Sequence, residues 1–230
     1  YEPDKPIMVL VCGYPYYSPF YDDFVKFFSK EFSIFVIESH HEFFLWKEAV
    51  SLDTLIKTFD DILQQELGDK KISILTGYCM ACELCIAYGK YRIKHYPDRE
   101  ALHILNMEGV FKRDKEQTEP SSEDELINEH LRITHILSNE LPPLDYSGEI
   151  INCMAKNESS RISLEGYVET DSVKLQEISE AQKQNWTEWQ QHFPSAPFYL
   201  IDCDHWHFFE EKNLKILDKA IHDSVSYTHL

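Results

Sequence analysis

The sequence contains few basic residues and no long apolar run. Lys and Arg number 22 against 40 Asp and Glu, which gives a formal net charge of −18. Nucleic acids and anionic membranes are bound through clustered Lys and Arg, so this balance disfavours both as partners. No stretch approaches the roughly 20 apolar residues of a membrane-spanning helix. We therefore expect neither a nucleic acid nor a membrane as a partner.

Cysteine is also too sparse for a secreted disulfide scaffold, with six in 230 residues. Several cysteines stand in apolar stretches, which favours reduced thiols in a cytoplasmic protein. Residues 1–6 are polar and proline-rich and lack the pattern of a signal peptide, so we interpret them as a linker. We expect one domain over residues 7–225 and a tail at 226–230.

What the sequence does contain is an alternation of apolar runs with helical spacings. Ser51 is a candidate N-cap of one helix, which Gly68 would end. Such alternation predicts an α/β fold with a parallel, doubly wound sheet. The predicted strands are 7–12, 32–37, 71–75, 101–107, 149–155 and 197–202, and the predicted helices are 21–30, 51–67, 80–94, 126–137, 171–191 and 213–225.

The third predicted strand runs into Gly77-Tyr78-Cys79-Met80-Ala81 and then into a helix. A G-x-S-x-G nucleophile elbow occurs in this context, where a sharp turn needs small residues two positions before and after the nucleophile. Gly77 and Ala81 meet that need. The positive end of the following helix should lower the pKa of a thiol at the turn from its free value of ~8.5. We therefore predict that Cys79 is a nucleophile.

Other roles for Cys79 follow from its neighbours. A lone cysteine is ordinarily a small buried hydrophobe. The Cys79-x-x-Cys82 spacing is a redox motif in other folds, and Cys85 adds a third thiol. Three thiols without a fourth ligand nearby disfavour a zinc site. We expect no bound metal and no bound cofactor.

Two histidines follow the last predicted strand, where this type of fold supplies its general base. His205 and His207 are both candidates. The acid that orients the imidazole has two candidates as well, Glu108 after the fourth strand and Glu158 after the fifth.

An oxyanion hole should combine two backbone N–H groups. One is the N–H of Met80, directly after the predicted nucleophile. The other should come from the loop after the first strand, where Pro15 has no N–H and Gly13 or Tyr14 is the better candidate.

With these residues placed, nearly the whole chain resembles the thioesterase domains that end nonribosomal peptide synthetases, and their stand-alone type II relatives. When the sequence is matched to the family pattern, His205 corresponds to the family histidine and Glu108 corresponds to the family acid. The resemblance implies an α/β-hydrolase fold with a helical lid over about 116–144. It is carried by the segments LVCGYP, DTLIKTFDDIL, TGYCMAC, ILNMEGVFKR and WTEWQQHFPSAPFYLIDCDHWHFF.

The resemblance also implies a function. The family releases a peptidyl or acyl chain from the phosphopantetheine thioester of a carrier protein, by hydrolysis or cyclisation, which implies a Cys79 acyl-enzyme here. The chain departs from the family pattern at five positions. Cys79 stands where the family usually has serine, and Ala81 and Cys82 stand where it has two glycines. Glu108 replaces an aspartate, and Cys203 replaces the glycine of a G-x-H turn.

Two alternatives stay open. The elbow also resembles the G-Y-C-x-G-G turn of dienelactone hydrolases, which would imply hydrolysis of small esters or lactones with Glu158 as the acid. The departures from the family pattern are also compatible with a non-catalytic binding domain that has kept the fold.

Overall fold

The computed structural model describes residues 4–13, 19–38, 51–109, 146–156 and 180–225. The predicted lid at about 116–144 and the tail at 226–230 lie outside these ranges. So do two of the predicted site residues, Tyr14 and Glu158.

The described residues form one six-stranded sheet in the order β2-β1-β3-β4-β5-β6. Every neighbouring pair of strands is parallel. Parallel strands are buried on both faces, which explains why these segments are continuous apolar runs. The predicted α/β class with a parallel sheet is thus confirmed. The strands are β1 (Ile7–Val11), β2 (Ser33–Ile37), β3 (Ile72–Tyr78), β4 (His103–Met107), β5 (Ile150–Ala155) and β6 (Phe198–Ile201).

Helices cover both faces of this sheet, as a doubly wound fold requires. Alternate residues of β1 point to opposite faces, so Val9 belongs to one apolar core and Leu10 to the other. The core with Val9 includes α2 and α3, and the core with Leu10 includes α1 and α5. None of the helices among the described residues is long and apolar enough to cross a membrane. The helices are α1 (Asp22–Phe28), α2 (Leu52–Leu67), α3 (Ala81–His95), α4 (Glu180–His192) and α5 (Glu211–Ser224).

The ends of α2 agree with the sequence interpretation. The Ser51 side chain accepts a hydrogen bond from the backbone N–H of Thr54 at 3.2 Å, which makes Ser51 the N-cap. Gly68 follows the helix with φ of 59° and donates its N–H to Gln64 O at 2.9 Å. A glycine adopts this left-handed conformation without a steric penalty.

Strand β3 is longer than predicted. The sequence interpretation ended it at Leu75 and assigned Thr76 to Cys79 to the connection with the next helix. In the structure, Gly77 pairs with Val11 on one side and with Asn106 on the other, so it remains within the sheet. The strand therefore extends to Tyr78, the residue directly before Cys79.

The arrangement of β1, β2 and β3 determines where a site can form. Strand β2 lies on one side of β1 and β3 on the other, so the direction of the chain across the sheet reverses here. Such a reversal leaves a crevice at the carboxyl ends of the strands. Gly13, two residues after β1, is so close to the end of β3 that a Cβ on it would lie 2.2 Å from Tyr78 O. The residues that follow β1 and β3 therefore meet at this crevice.

A buried carboxylate joins α2 to α3. Asp60 of α2 is 5% exposed and accepts hydrogen bonds from the hydroxyls of Tyr88, at 2.9 Å, and Tyr96, at 2.6 Å. The hydrogen bond to Asp60, with partial burial, raises the pKa of Tyr96 to about 12. Both phenols therefore stay protonated and act as donors to Asp60.

We expect Asp60→Ala to lower the free energy of unfolding by about 3 kcal/mol, because two phenols lose a charged acceptor. Asp53→Ala is the matched control on the same helix, since Asp53 is exposed and pairs with Lys57 at the surface. It should cost about 1 kcal/mol or less. Urea denaturation measures both losses, and similar losses in the two variants would contradict a structural role for Asp60.

Candidate active site

Cys79 has a backbone conformation that cysteine rarely adopts. Its φ is 56°, in the left-handed region, and among the described non-glycine residues only Glu108 shares this feature, with φ of 59°. A conformation of this kind costs roughly 1–3 kcal/mol and persists only where the surrounding structure holds it. The N–H of Cys79 donates to Met107 O at 2.9 Å, which anchors the turn to β4.

The space around this turn explains the small residues near it. A Cβ on Gly77 would lie 2.8 Å from Ala81 O and from the Cα and N of Cys82, so α3 packs directly on the backbone of β3. A Cβ on Gly13 would lie 3.0 Å from the Cβ of Cys79. Glycine at these two positions therefore lets the backbone of residue 13 approach Cys79 and lets the start of α3 pack on β3.

Cys79 is also set apart by its exposure. All six cysteines lie in the described residues, and all are free thiols. Five of them are buried, and Cys79 alone is partly exposed. Burial raises the pKa of the other five thiols, which keeps them protonated. Cys82 is an example, since its thiol donates to Gly77 O at 3.1 Å inside the fold.

Glu108 occupies the corresponding position after β4. Its side chain is 4% exposed, and its N–H donates to Cys153 O at 2.9 Å. One carboxylate oxygen, Oε1, accepts a hydrogen bond from the backbone N–H of Ala155. The other, Oε2, lies 3.3 Å from Nδ1 of His205. The left-handed turn therefore directs this carboxylate along the carboxyl edge of the sheet towards the histidine.

His205 lies between Cys79 and Glu108. Burial lowers the pKa of His205, but the hydrogen bonds and negative charges of Cys79 and Glu108 outweigh it and raise this pKa to about 10. Because Nδ1 faces Glu108, the other ring nitrogen is the one available to Cys79. The imidazole of His205 therefore lies between Glu108, which faces its Nδ1, and Cys79, which acts on its pKa.

Tyr78 holds this imidazole in place. Its ring stacks on the His205 ring with centroids 4.7 Å apart and planes inclined by 30°. Its hydroxyl donates to the backbone carbonyl of His205 at 2.5 Å. Tyr78, the residue before Cys79, therefore fixes both the backbone and the ring of the histidine.

The other sequence-predicted residues lie as follows. His207 has a side chain 47% exposed and pairs through Nδ1 with Asp204 at 2.7 Å, so its ring is held at the surface. Met80 follows Cys79 directly and precedes the first turn of α3, which places its N–H at the positive end of that helix. Gly13 lies beside Cys79, while Tyr14 and Glu158 are outside the described residues.

A buried network of amide groups, which the sequence analysis missed, surrounds the turn at Glu108. Asn106 donates to Asn152 Oδ1 at 2.6 Å and accepts from Gly109 N at 3.2 Å. The carbonyl of Gly109 accepts from Asn185 at 2.8 Å and from the indole of Trp189 at 2.9 Å, both on α4. The backbone N–H and the carbonyl of Gly109, the residue after Glu108, are thus both hydrogen-bonded to other parts of the fold.

A signal for this network was present in the sequence. Asn106 and Asn152 each interrupt an apolar strand, in ILNME and IINCM, and a buried amide needs a partner. The structure pairs the two residues across β4 and β5. No sequence pattern indicates that α4 reaches the same loop, since α4 lies about 75 residues further along the chain.

Among the described residues, Cys79, His205 and Glu108 do not belong to a group of side chains close enough to share a metal ion. Among the described residues, the group of ligating side chains close enough to share a metal ion is Glu31, Asp218 and His222. These residues lie after α1 and on α5, apart from Cys79, and exposed acidic groups of this kind are common without an ion.

Comparison with known proteins yields likeness in structure alone. No family model matches the sequence, and no curated protein does. The chain is similar to the NocB thioesterase domain, solved as a covalent complex with a fluorophosphonate nocardicin G analogue. The TM-score is 0.63 at 13% identity, over 95% of this chain and 93% of that one.

Two further solved structures have the same architecture. The type II thioesterase BorB from the borrelidin biosynthetic cluster gives a TM-score of 0.61 at 11% identity, over 95% of this chain and 92% of BorB. MGS-MChE2 is an α/β-hydrolase enzyme from the metagenome of lagoon sediments at Mar Chica, Morocco. It gives a TM-score of 0.60 at 17% identity, over 96% of this chain and 92% of MGS-MChE2. Identities this low establish the fold and not the reaction. The chain has the α/β-hydrolase fold.

Proposed function

We propose that this protein is a thioesterase that releases a peptidyl or acyl chain from the phosphopantetheine thioester of a carrier protein, through an acyl-enzyme on Cys79. The observation that carries the proposal is the left-handed turn at Cys79 beside His205, whose pKa Cys79 raises and whose Nδ1 lies 3.3 Å from Glu108 Oε2. A partly exposed thiol beside an imidazole and a buried carboxylate is the arrangement that nucleophilic catalysis requires.

In the first step the Cys79 thiolate attacks the thioester carbonyl carbon. The N–H of Met80 and one N–H of the loop after β1, from Gly13 or Tyr14, stabilise the oxyanion. The tetrahedral intermediate collapses, the bond to the phosphopantetheine sulfur breaks, and the His205 imidazolium gives its proton to that sulfur. One thioester replaces another, so the step is close to thermoneutral.

The second step needs His205 as a base, and acylation itself makes this possible. In the free site, the hydrogen bond and negative charge of Cys79 help to raise the pKa of His205. Acylation removes both, so the pKa of the imidazole falls and the neutral ring can accept a proton. His205 then deprotonates a water molecule, or an amine or hydroxyl of the bound chain, which attacks the acyl-cysteine and frees Cys79.

Support for the carrier-bound substrate comes from the resemblance and from the structural neighbours. The NocB domain and BorB are named as thioesterases, and BorB belongs to a biosynthetic cluster. The acyl-cysteine is more reactive than the ester that serine would form. It therefore suits aminolysis or ring closure as well as hydrolysis.

The acyl-enzyme can be observed directly. With an octanoyl N-acetylcysteamine thioester, intact-protein mass spectrometry should detect one acyl adduct on the wild-type protein and none on Cys79→Ala. Cys85→Ala is the matched control, since Cys85 is a buried thiol of the following helix and its loss should leave the adduct unchanged. An undiminished adduct on Cys79→Ala would exclude Cys79 as the nucleophile.

The substrate class is tested by comparing carrier-linked and free acyl groups. The same acyl chain presented on a carrier protein should be released with a kcat/KM at least about 10-fold above that of a free small ester, because the carrier adds binding energy. A preference for the free ester would instead support the small-ester hydrolase.

The Cys79–His205 pair predicts an unusual pH dependence of alkylation. The pKa of His205 is raised from 6.5 to about 10, so the imidazolium persists below that pH and is lost as the pH rises through it. Alkylation of Cys79 by iodoacetamide should therefore vary little between about pH 7 and 9. In His205→Ala it should rise about tenfold per pH unit towards the ~8.5 pKa of an ordinary thiol and be roughly 100-fold slower than wild type at about pH 6.5.

His207→Ala provides the control for this experiment, since His207 is exposed and paired with Asp204. It should retain the wild-type profile. Peptide mapping assigns the label to Cys79. A wild-type rate that rises with pH as steeply as that of His205→Ala would show that the two side chains are not an ion pair.

The role of the acid is tested with an isosteric amide. We expect Glu108→Gln to lower turnover of the thioester by about 100-fold or more, because the amide neither orients the imidazole nor stabilises its charge. Glu211→Gln, at an exposed surface pair with Lys215, should leave turnover unchanged. Unchanged turnover in Glu108→Gln, with loss in Glu158→Gln, would transfer the role to Glu158.

A further inference from the structure

A cavity of about 260 Å³ opens at the edge of the sheet opposite to Cys79. It is lined by residues at the amino ends of β3 and β4 and by Arg92 from the last turn of α3. Because β3 runs through seven residues from this edge to Tyr78, the cavity lies roughly 20 Å from the candidate active site. It therefore belongs to a separate part of the molecule.

Arg92 is the unusual feature of this cavity. It is 7% exposed, and its Nε has no hydrogen-bond partner. In the part of the chain that the structure describes, no carboxylate forms an ion pair with its guanidinium. Arginine stays protonated in proteins, so the charge remains although it is buried. A buried charge of this kind requires a counterion.

Neighbouring groups of α2 and α3 do not supply that counterion. Tyr88 and Tyr96 lie one helical turn to either side of Arg92, and both donate to Asp60, one to each carboxylate oxygen. The carboxyl end of α3 carries a partial negative charge that favours a cation. That attraction is weaker than the cost of burying an unpaired guanidinium.

The rim of the cavity is positively charged in a chain that is otherwise acidic. Its lining contains four Lys and Arg side chains and two carboxylates. Asp69 is engaged by Arg99 at 2.8 Å, and Glu100 by Lys71 at 3.0 Å. The Lys, Arg, Asp and Glu side chains of the lining sum to a formal charge of +2 although the whole chain has −18. One further carboxylate, Glu149, contacts the lining residue His103 at 2.8 Å. The lining therefore favours an anionic ligand.

We propose that this cavity binds the phosphate dianion, either as inorganic phosphate or as the phosphoryl group of a small monoester. The planar guanidinium of Arg92 forms the buried anchor, because its parallel N–H groups match two phosphate oxygens. Lys71 and Arg99 approach the ligand from the rim. The proposal concerns binding and does not depend on the proposed thioesterase reaction.

The test is thermal unfolding of the full chain in sodium phosphate and in sodium chloride of equal ionic strength. At about 10 mM, phosphate should raise the wild-type Tm by roughly 3 °C above the chloride value, and Arg92→Met should abolish this shift. In phosphate-free buffer Arg92→Met should unfold at the wild-type temperature or above it, because it removes an unpaired buried charge. A lower Tm in phosphate-free buffer, together with an undiminished phosphate shift, would show that the arginine is purely structural.

A second pair of variants keeps the test decisive if Arg92→Met does not fold. The double variant Lys71→Met, Arg99→Met changes the rim and should weaken phosphate binding by about 10-fold. The double variant Lys57→Met, Lys215→Met removes the same charge from exposed pairs elsewhere and should retain the full shift.

The proposal is overturned if wild type shows no phosphate-specific shift, if Arg92→Met shifts as much as wild type, or if the Lys57 and Lys215 control loses the shift equally. Glycerol 1-phosphate distinguishes the two sources of the anion. A larger shift than that of inorganic phosphate identifies a monoester site, and an equal shift identifies a site for phosphate itself.

Discussion

The turn between β3 and α3 is the constraint on which the arrangement of this protein depends. A cysteine with left-handed backbone is stable only where its surroundings leave no alternative. Here the hydrogen bond from Cys79 N to Met107 O joins the turn to β4, and the close packing of α3 on Gly77 fixes its position relative to β3. The same turn exposes one thiol at the switch point of the sheet, while the fold buries the remaining five.

The second left-handed residue extends this arrangement to the neighbouring strand. Glu108 follows β4 as Cys79 follows β3, and the two strands are paired in register up to their last residues. The backbone of Gly109 is held by Asn106 on the sheet and by Asn185 and Trp189 on α4. Three distant parts of the chain are therefore needed to direct one carboxylate at His205.

Charge is distributed unevenly between the two edges of the sheet. At the carboxyl edge, the hydrogen bonds and charges of Cys79 and Glu108 outweigh burial and raise the pKa of His205 to about 10. At the amino edge, Arg92 is buried without a carboxylate partner among the described residues, and positive groups surround it in a chain of −18 net charge. The sheet thus separates the edge that carries Cys79, His205 and Glu108 from an edge with an excess of positive side chains.

Local sequence patterns were enough to predict the α/β class and the strand-turn-helix context of Cys79, since continuous apolar runs and small residues around a turn are local properties. The candidates His205, His207, Glu108 and Glu158 came from their places after strands, and the family resemblance favoured His205 and Glu108. The tertiary structure shows that Nδ1 of His205 faces Glu108 and that Cys79 acts on the same imidazole, while His207 faces Asp204. It also determines that Asn106 pairs with Asn152 and that Arg92 has no carboxylate partner among the described residues, because long-range packing, rather than local periodicity, determines which buried polar groups meet.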